Sequence, residues 1–166
     1  MSVTLTWNFQ DTPVGTAVGS LQPKSLNFSV DFAKKETSDG SAVVTNLTSP
    51  TDRPETLKWA SSRVANVYTG TGIEPSLRSQ NKSGVSVVAQ LRTVVTATES
   101  STSERIDYPL SAHLVVKVPN ADVITGDVVN TLLLRLLGML YEESGASPTT
   151  RLNALIRGAL LPKALA

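Results

Sequence analysis

The chain has 166 residues, 40% of them apolar but only 5% aromatic, with no cysteine, one histidine and a formal charge of +1. This length fits one domain with an aliphatic core. The lack of thiols excludes a disulfide framework and a thiolate metal site, a single imidazole argues against a histidine-rich one, and a net charge near zero leaves nucleic acid open because partners read local patches.

The opening "MSVTLTWNFQDTPVG" lacks a basic region followed by a continuous apolar stretch, so no secretory leader is expected. Within it, Val3, Leu5, Trp7 and Phe9 alternate with polar residues and predict a strand. A turn-rich stretch follows. In "SLNFSVDFA" the alternation of Leu26, Phe28, Val30 and Phe32 predicts a second strand, and Asp39-Gly40 predicts the turn of a hairpin over about Ser25 to Leu47. "TSPTDRPE" is a proline-bearing loop. Three longer strands are predicted, over about Glu55–Tyr68, Gly84–Thr98 and Tyr108–Val118. The polar connections "TGTGIEPSLRSQNKS" and "ESSTSERID" between them read as flexible loops, and short connections predict an antiparallel meander.

Two helices are predicted to close the chain. The first runs from about Thr125, as N-cap, to Glu143, with Asp127 in its first turn. Val128, Val129, Leu132, Leu133, Leu136, Leu137 and Leu140 give it one broad apolar face. The run Leu132 to Leu140 is broken by Arg135 and is about half the length that spans a bilayer, so no membrane partner is expected and a soluble cytosolic product is. After "ESGAS", the second helix has Ser147 as N-cap, Pro148 at its first position, and Leu152, Leu155, Ile156, Ala159 and Leu160 on one face until Pro162. Strands first and helices last is an α+β order.

Catalytic patterns are poor. His113 lies mid-strand with no nucleophile motif around it, "TGTGIEPS" lacks the spacing and the lysine of a phosphate-binding loop, and Glu142-Glu143 reads as a solvated helix end. No enzymatic activity, cofactor or metal is expected. The layout of charge says more. From Thr56 to Ser100 the acids are Glu74 and Glu99, both in predicted loops, while the three strand bodies carry Lys58, Arg63, Arg92 and Lys117. In the second long strand Ser86, Val88, Gln90, Arg92, Val94 and Thr96 alternate against Val85, Val87, Ala89, Leu91, Thr93 and Val95. In the third, Ser111, His113, Val115 and Lys117 oppose Ala112, Leu114, Val116 and Val118. One face of the sheet is therefore apolar and the other basic and hydroxyl-rich, either an ordinary solvated face or one that neutralises phosphates and bonds to them. On the first long strand Leu57, Trp59 and Val67 turn Lys58, Ser62 and Asn66 to the polar side, which leaves Arg63 on the apolar one.

The order of elements resembles the coat proteins of single-stranded RNA bacteriophages, the leviviruses. The closest local likeness is at the end: a strand stopping at Val118-Pro119, the link "NADVITGD", the helix "VVNTLLLRLLGML", the turn "ESGAS" and a last helix. The resemblance implies one coat-protein domain over 1–166, with N-terminal strands in 1–50, the main sheet in 55–118 and two helices in 125–161. It implies an interlocked homodimer in which Val129, Leu132, Leu133, Leu136, Leu137, Leu140, Leu152, Leu155 and Ile156 pack across the partner's sheet. That would account for a helix more apolar than a lone domain needs. Dimers would build an icosahedral virion in the cytoplasm of a bacterial host, around a single-stranded RNA genome. The inward face would also bind an RNA hairpin and repress translation. Carried over by position, the RNA-facing residues are Lys58, Ser62, Ser86, Gln90, Arg92, Thr96, Ser111, His113 and Lys117. Where the family often has a base-stacking aromatic on the last strand, this chain has Ser111 or His113, and stacking on histidine is weaker. The loop of about Glu99–Asp107 would adapt between five-fold and quasi-six-fold contacts. Against this stands a different reading, a small cytosolic dimeric α+β module whose polar sheet face binds another ligand.

Overall fold

The computed structural model describes residues 26–98, 105–142, 149–162 and 165. The expected strand at Val3–Phe9, the residues Glu99–Glu104 of the adaptable loop, and the expected cap at Ser147-Pro148 lie outside the described residues. The chain divides into two compact units, one formed by Ser25–Ala121 and one that includes Asp122–Ala166.

The first unit is a five-stranded antiparallel sheet: β1 (Phe32–Ser38), β2 (Ser41–Asn46), β3 (Thr56–Val64), β4 (Gly84–Thr98) and β5 (Arg105–Pro119), in that spatial order. Every neighbour in the sheet is also the neighbour in sequence, which is the expected meander. β4 and β5 are rich in valine, threonine and other residues that suit a pleated, half-buried surface. They pair without a break from Gly84↔Pro119 to Thr98↔Arg105. The Asp39-Gly40 turn joins β1 to β2 as expected, with Gly40 at a φ of 73°, where a side chain would be strained.

Three strand boundaries differ from the sequence reading, each for a local reason. β1 begins only at Phe32, because Asn27 folds the preceding residues into a turn. Its carbonyl accepts from the N–H groups of Val30 and Asp31, and its side chain accepts from Ser29. The alternation of Leu26, Phe28 and Val30 is thus not a strand; Phe28 instead packs its ring against Phe32 and Trp59, at 5.1 and 5.6 Å between centroids. β3 stops at Val64, not Tyr68, because Asn66 accepts from the Tyr68 N–H at 2.9 Å and starts a turn. β5 begins at Arg105, not Tyr108. Arg105–Asp107 were expected in a loop, but they complete the ladder with Thr96–Thr98.

In the second unit, α1 spans Gly126–Gly138 behind an extended Thr125, with Asp127 in its first turn, as expected. It ends before the expected Glu143. The N–H groups of Met139 and Leu140 close back on the carbonyls of Leu136 and Leu137, and Tyr141–Glu142 become β6, paired with β7 (Thr149–Thr150). The last helix, α2, covers only Leu152–Ile156, so Thr149-Thr150 and Ala159-Leu160, expected to be helical, are not. Its stop is explained by Gly158 at φ 86°. The Gly158 N–H donates to the Leu155 carbonyl and the Ala159 N–H to the Ala154 carbonyl, both at 3.0 Å, the paired bonds of a glycine-terminated helix.

Arg151 organises this unit. It is buried, its guanidinium donates to the Leu160 carbonyl at 2.8 Å and the Met139 carbonyl at 3.3 Å, and its Nε lies 3.1 Å from Glu142 Oε1. The Nε–carboxylate contact is an ion pair without good hydrogen-bond alignment. Glu142 is therefore not the solvated helix end that the sequence suggested. A buried charge persists only when paired, and Arg151 holds together the end of α1, β6 and the segment after α2.

Candidate nucleic-acid interface

The register of β2 to β5 sorts the side chains. Ser62, Ser86 and Lys117 stand side by side in one row across β3, β4 and β5. Lys58, Gln90 and His113 form another, joined on β2 by Val43. Thr56, Arg92 and Ser111 form a third, and Thr96 stands opposite Asp107. All nine residues proposed from the sequence for RNA thus share one face of one sheet. Side chains directly opposite one another are close enough to act together. Between the rows runs an apolar one, Ala60, Val88 and Val115. Lys58, Arg92, Ser111, His113 and Lys117 are exposed, and among the described residues none of the three cations forms an ion pair.

Gln90 is the hub. Turning its amide so that the oxygen faces these neighbours satisfies them: the oxygen then accepts from Arg92 Nε at 2.6 Å, Arg92 Nη2 at 2.9 Å and, in the tautomer with Nε2 protonated, His113 Nε2 at 3.2 Å. This holds the guanidinium and the imidazole beside each other on an exposed part of the face, with further N–H groups of Arg92 left to donate. A row of fixed donors beside Lys58 suits phosphate oxygens and base edges.

The face is not purely basic. Lengthening β5 to Arg105 brings Asp107 onto it, where Thr96 donates to one carboxylate oxygen and Arg105 donates to both, at 3.0 and 2.6 Å. Asp52 and Arg53 of the β2–β3 loop join this network: Arg53 bonds Asp52 at 2.7 Å and approaches Asp107 at 4.0 Å, and Arg105 approaches Asp52 at 3.7 Å. Hydrogen bonds from Arg105 and then Thr96, aided by the charge of Arg105, hold the Asp107 carboxyl down at about 2. Thr96 is thereby committed to Asp107, unlike the other hydroxyls proposed for RNA.

Sequence reasoning missed Lys35 and Glu36. They line a shallow cavity of about 250 Å³ with Val43, Lys58, Gln90 and Arg92. A bulge between Lys34 and Glu36 turns Glu36 to the polar face, opposite Val43. A charged run such as Lys34-Lys35-Glu36 shows no phase, so nothing in the sequence marks the bulge.

The opposite face is apolar. Leu57 is its one buried side chain, while Val87, Leu91, Val95, Tyr108 and Leu110 are exposed in this single copy. Arg63 pairs with Val85 on that face, as feared from the alternation, but one residue from the end of β3. The residues proposed for a dimer contact are likewise uncovered: α1 has no buried residue, Leu132, Leu136, Leu137, Leu152 and Ile156 are exposed, and Val129, Leu133, Leu140 and Leu155 are half-buried. Among the described residues no group of three metal-ligating side chains converges.

The fold has solved counterparts. The chain is similar to a chain of the virus-like particle of bacteriophage AVE015, with 29% identity, a TM-score of 0.84, and coverage of 95% of this chain and 93% of that one. It is also similar in fold to a chain of the virus-like particle of bacteriophage GQ-112, at 11% identity and a TM-score of 0.75, over 95% and 97% of the two chains. No family model matches the chain, and no curated protein does.

Proposed function

We propose that this chain, which has the levivirus coat-protein fold, is the coat subunit of a single-stranded RNA bacteriophage. As one coat-protein domain it dimerises, assembles into an icosahedral shell in the bacterial cytoplasm, and packages the genome against its polar sheet face. The observation that carries this is the likeness, over nearly the full length of both chains, to a chain that forms a virus-like particle.

The dimer is supported by surface that a single copy leaves in water. Leu132, Leu134, Leu136 and Leu137 of α1 are exposed, as are Val87, Leu91, Val95, Tyr108 and Leu110 of one sheet face, and exposed apolar patches of this kind mark interaction sites. β5 is 15 residues long and lies at the edge of the sheet, where an unpaired strand of that length is a template for pairing with another copy. The RNA role is supported by the nine residues gathered on the other face, with Lys58, Arg92 and Lys117 for phosphates and the Gln90-ordered donors for base edges. Hairpin binding there, with repression of translation, would rely on His113 and Ser111 in place of an aromatic platform.

Expression of the full chain followed by electron microscopy tests the reading. Closed particles holding nuclease-resistant RNA are expected. A monomer or simple dimer that never forms particles would refute it and leave the small binding module as the better description.

A further inference from the structure

A cavity of about 550 Å³, within the usual range for small-ligand sites, opens at the end of the polar face and is lined by Val64, Val67, Tyr68, Ile73, Lys117 and Pro119. The register puts Val64, Lys117 and Pro119 on the same face as Ser62, Ser86 and the other residues proposed for RNA. The remaining wall comes from the β3–β4 connection, which the sequence presented as a flexible loop and the structure ties down at several points. Val67 N–H donates to the Lys82 carbonyl at 2.9 Å, and the Val67 side chain fits against Gly84, where an added Cβ would come within 2.3 Å of it. The Ser79 N–H donates to the Tyr68 hydroxyl at 2.9 Å. Arg78 donates twice to the Ile73 carbonyl, at 2.8 and 2.6 Å, and stands 5.8 Å from the centre of the Tyr68 ring.

We infer that this cavity takes one unstacked base of a single RNA strand lying along the polar face. The inference rests on the RNA-binding role proposed above and extends it. A mostly apolar recess with an aromatic ring in its wall suits the π-face of a base. Lys117 at the rim suits the adjoining phosphate, and it belongs both to this cavity and to the row with Ser62 and Ser86. The cavity thus supplies, at one end of the sheet, the aromatic surface that Ser111 and His113 do not provide at its centre. Because Tyr68 is held by its hydroxyl, little side-chain freedom is lost when a base stacks.

The test compares hexaadenylate with an abasic oligoribose phosphate of the same length, binding to the full-length chain at nanomolar concentration over a range of salt. Tyr68→Leu, which keeps the apolar bulk, is expected to weaken hexaadenylate binding about tenfold and leave the abasic strand and the salt slope unchanged. Tyr68→Phe, which keeps the ring but loses the hydroxyl's hold, should fall by less than Tyr68→Leu. Val64→Met, which fills the recess and spares the Tyr68 hydrogen bond, should act like Tyr68→Leu. If the wild-type chain binds both strands and these substitutions alter neither, or both alike, the base pocket is wrong while the RNA-binding face survives. Should Tyr68→Phe fall as far as Tyr68→Leu, loop order and not stacking is responsible, and the pocket is again wrong. A wild-type chain that binds neither strand removes the RNA reading and the pocket together.

Discussion

Asp107 shows how one side chain is set by the pairing of two strands. Read alone, "SERID" is a polar loop; in the sheet, Asp107 faces Thr96 and accepts from Arg105. The fold lowers its pKa from 3.8 to about 2, so it favours the ionised form. The linked stability is fully present above about pH 4 and is lost as pH falls through about 2. Asp107→Asn should therefore be less stable than wild type at neutral pH, modestly because the group is exposed. The two should converge between pH 4 and 2 in urea unfolding; a gap that persists at pH 2 would mean that packing and not charge is responsible. Gln90 makes the same point in another way. Its face was legible from alternation, but its place opposite His113 and its hydrogen bonds to Arg92 were not, because register and rotamers leave no mark in a sequence pattern.

At the scale of elements, periodicity served the long strands and the first helix, and failed where one residue overruled it. Thr125, Asp127 and the leucine spacing located α1, since each is a signal carried by the segment itself. α2 is short because Gly158 takes the left-handed conformation and closes the helix, although the apolar spacing runs on through Ala159 and Leu160. The turn at Asn27 defeated the alternation before β1 in the same manner. On α1, the proposed interface makes a direct demand: Leu133→Asp together with Leu137→Asp would bury two carboxylates in an apolar contact, at a cost of several kcal/mol each. Light scattering of the purified variant should show no dimers. A dimer of unchanged mass would place the interface elsewhere, and a folded monomer from the wild-type chain would show that these leucines have no partner copy to meet.

For the whole molecule, the relevant property is the segregation of charge, since the net charge of +1 says nothing about a partner. Lys58, Arg92 and Lys117 come from three strands, and the sheet brings them to one side. Arg92→Ala with Lys117→Ala should lower the RNA content of particles. It should also flatten the dependence of log K on log salt by roughly 1.4, about 0.7 for each lost contact to a single strand. Both follow from ultraviolet absorbance of purified particles and a salt titration, and an unchanged slope would remove these two residues from the RNA face.

The sequence by itself determined the period-2 strands, the meander, the start of α1 after Thr125, and the split between an apolar and a basic face. Those depend on local steric preference and on which side chains water rejects. Tertiary structure alone decided the bulge at Lys35, the burial of Arg151 against Glu142, the arrival of Asp107 on the basic face, and the cavity beside Tyr68. Each of these depends on how separate segments meet, which register and packing set and which leaves no periodic mark in either segment.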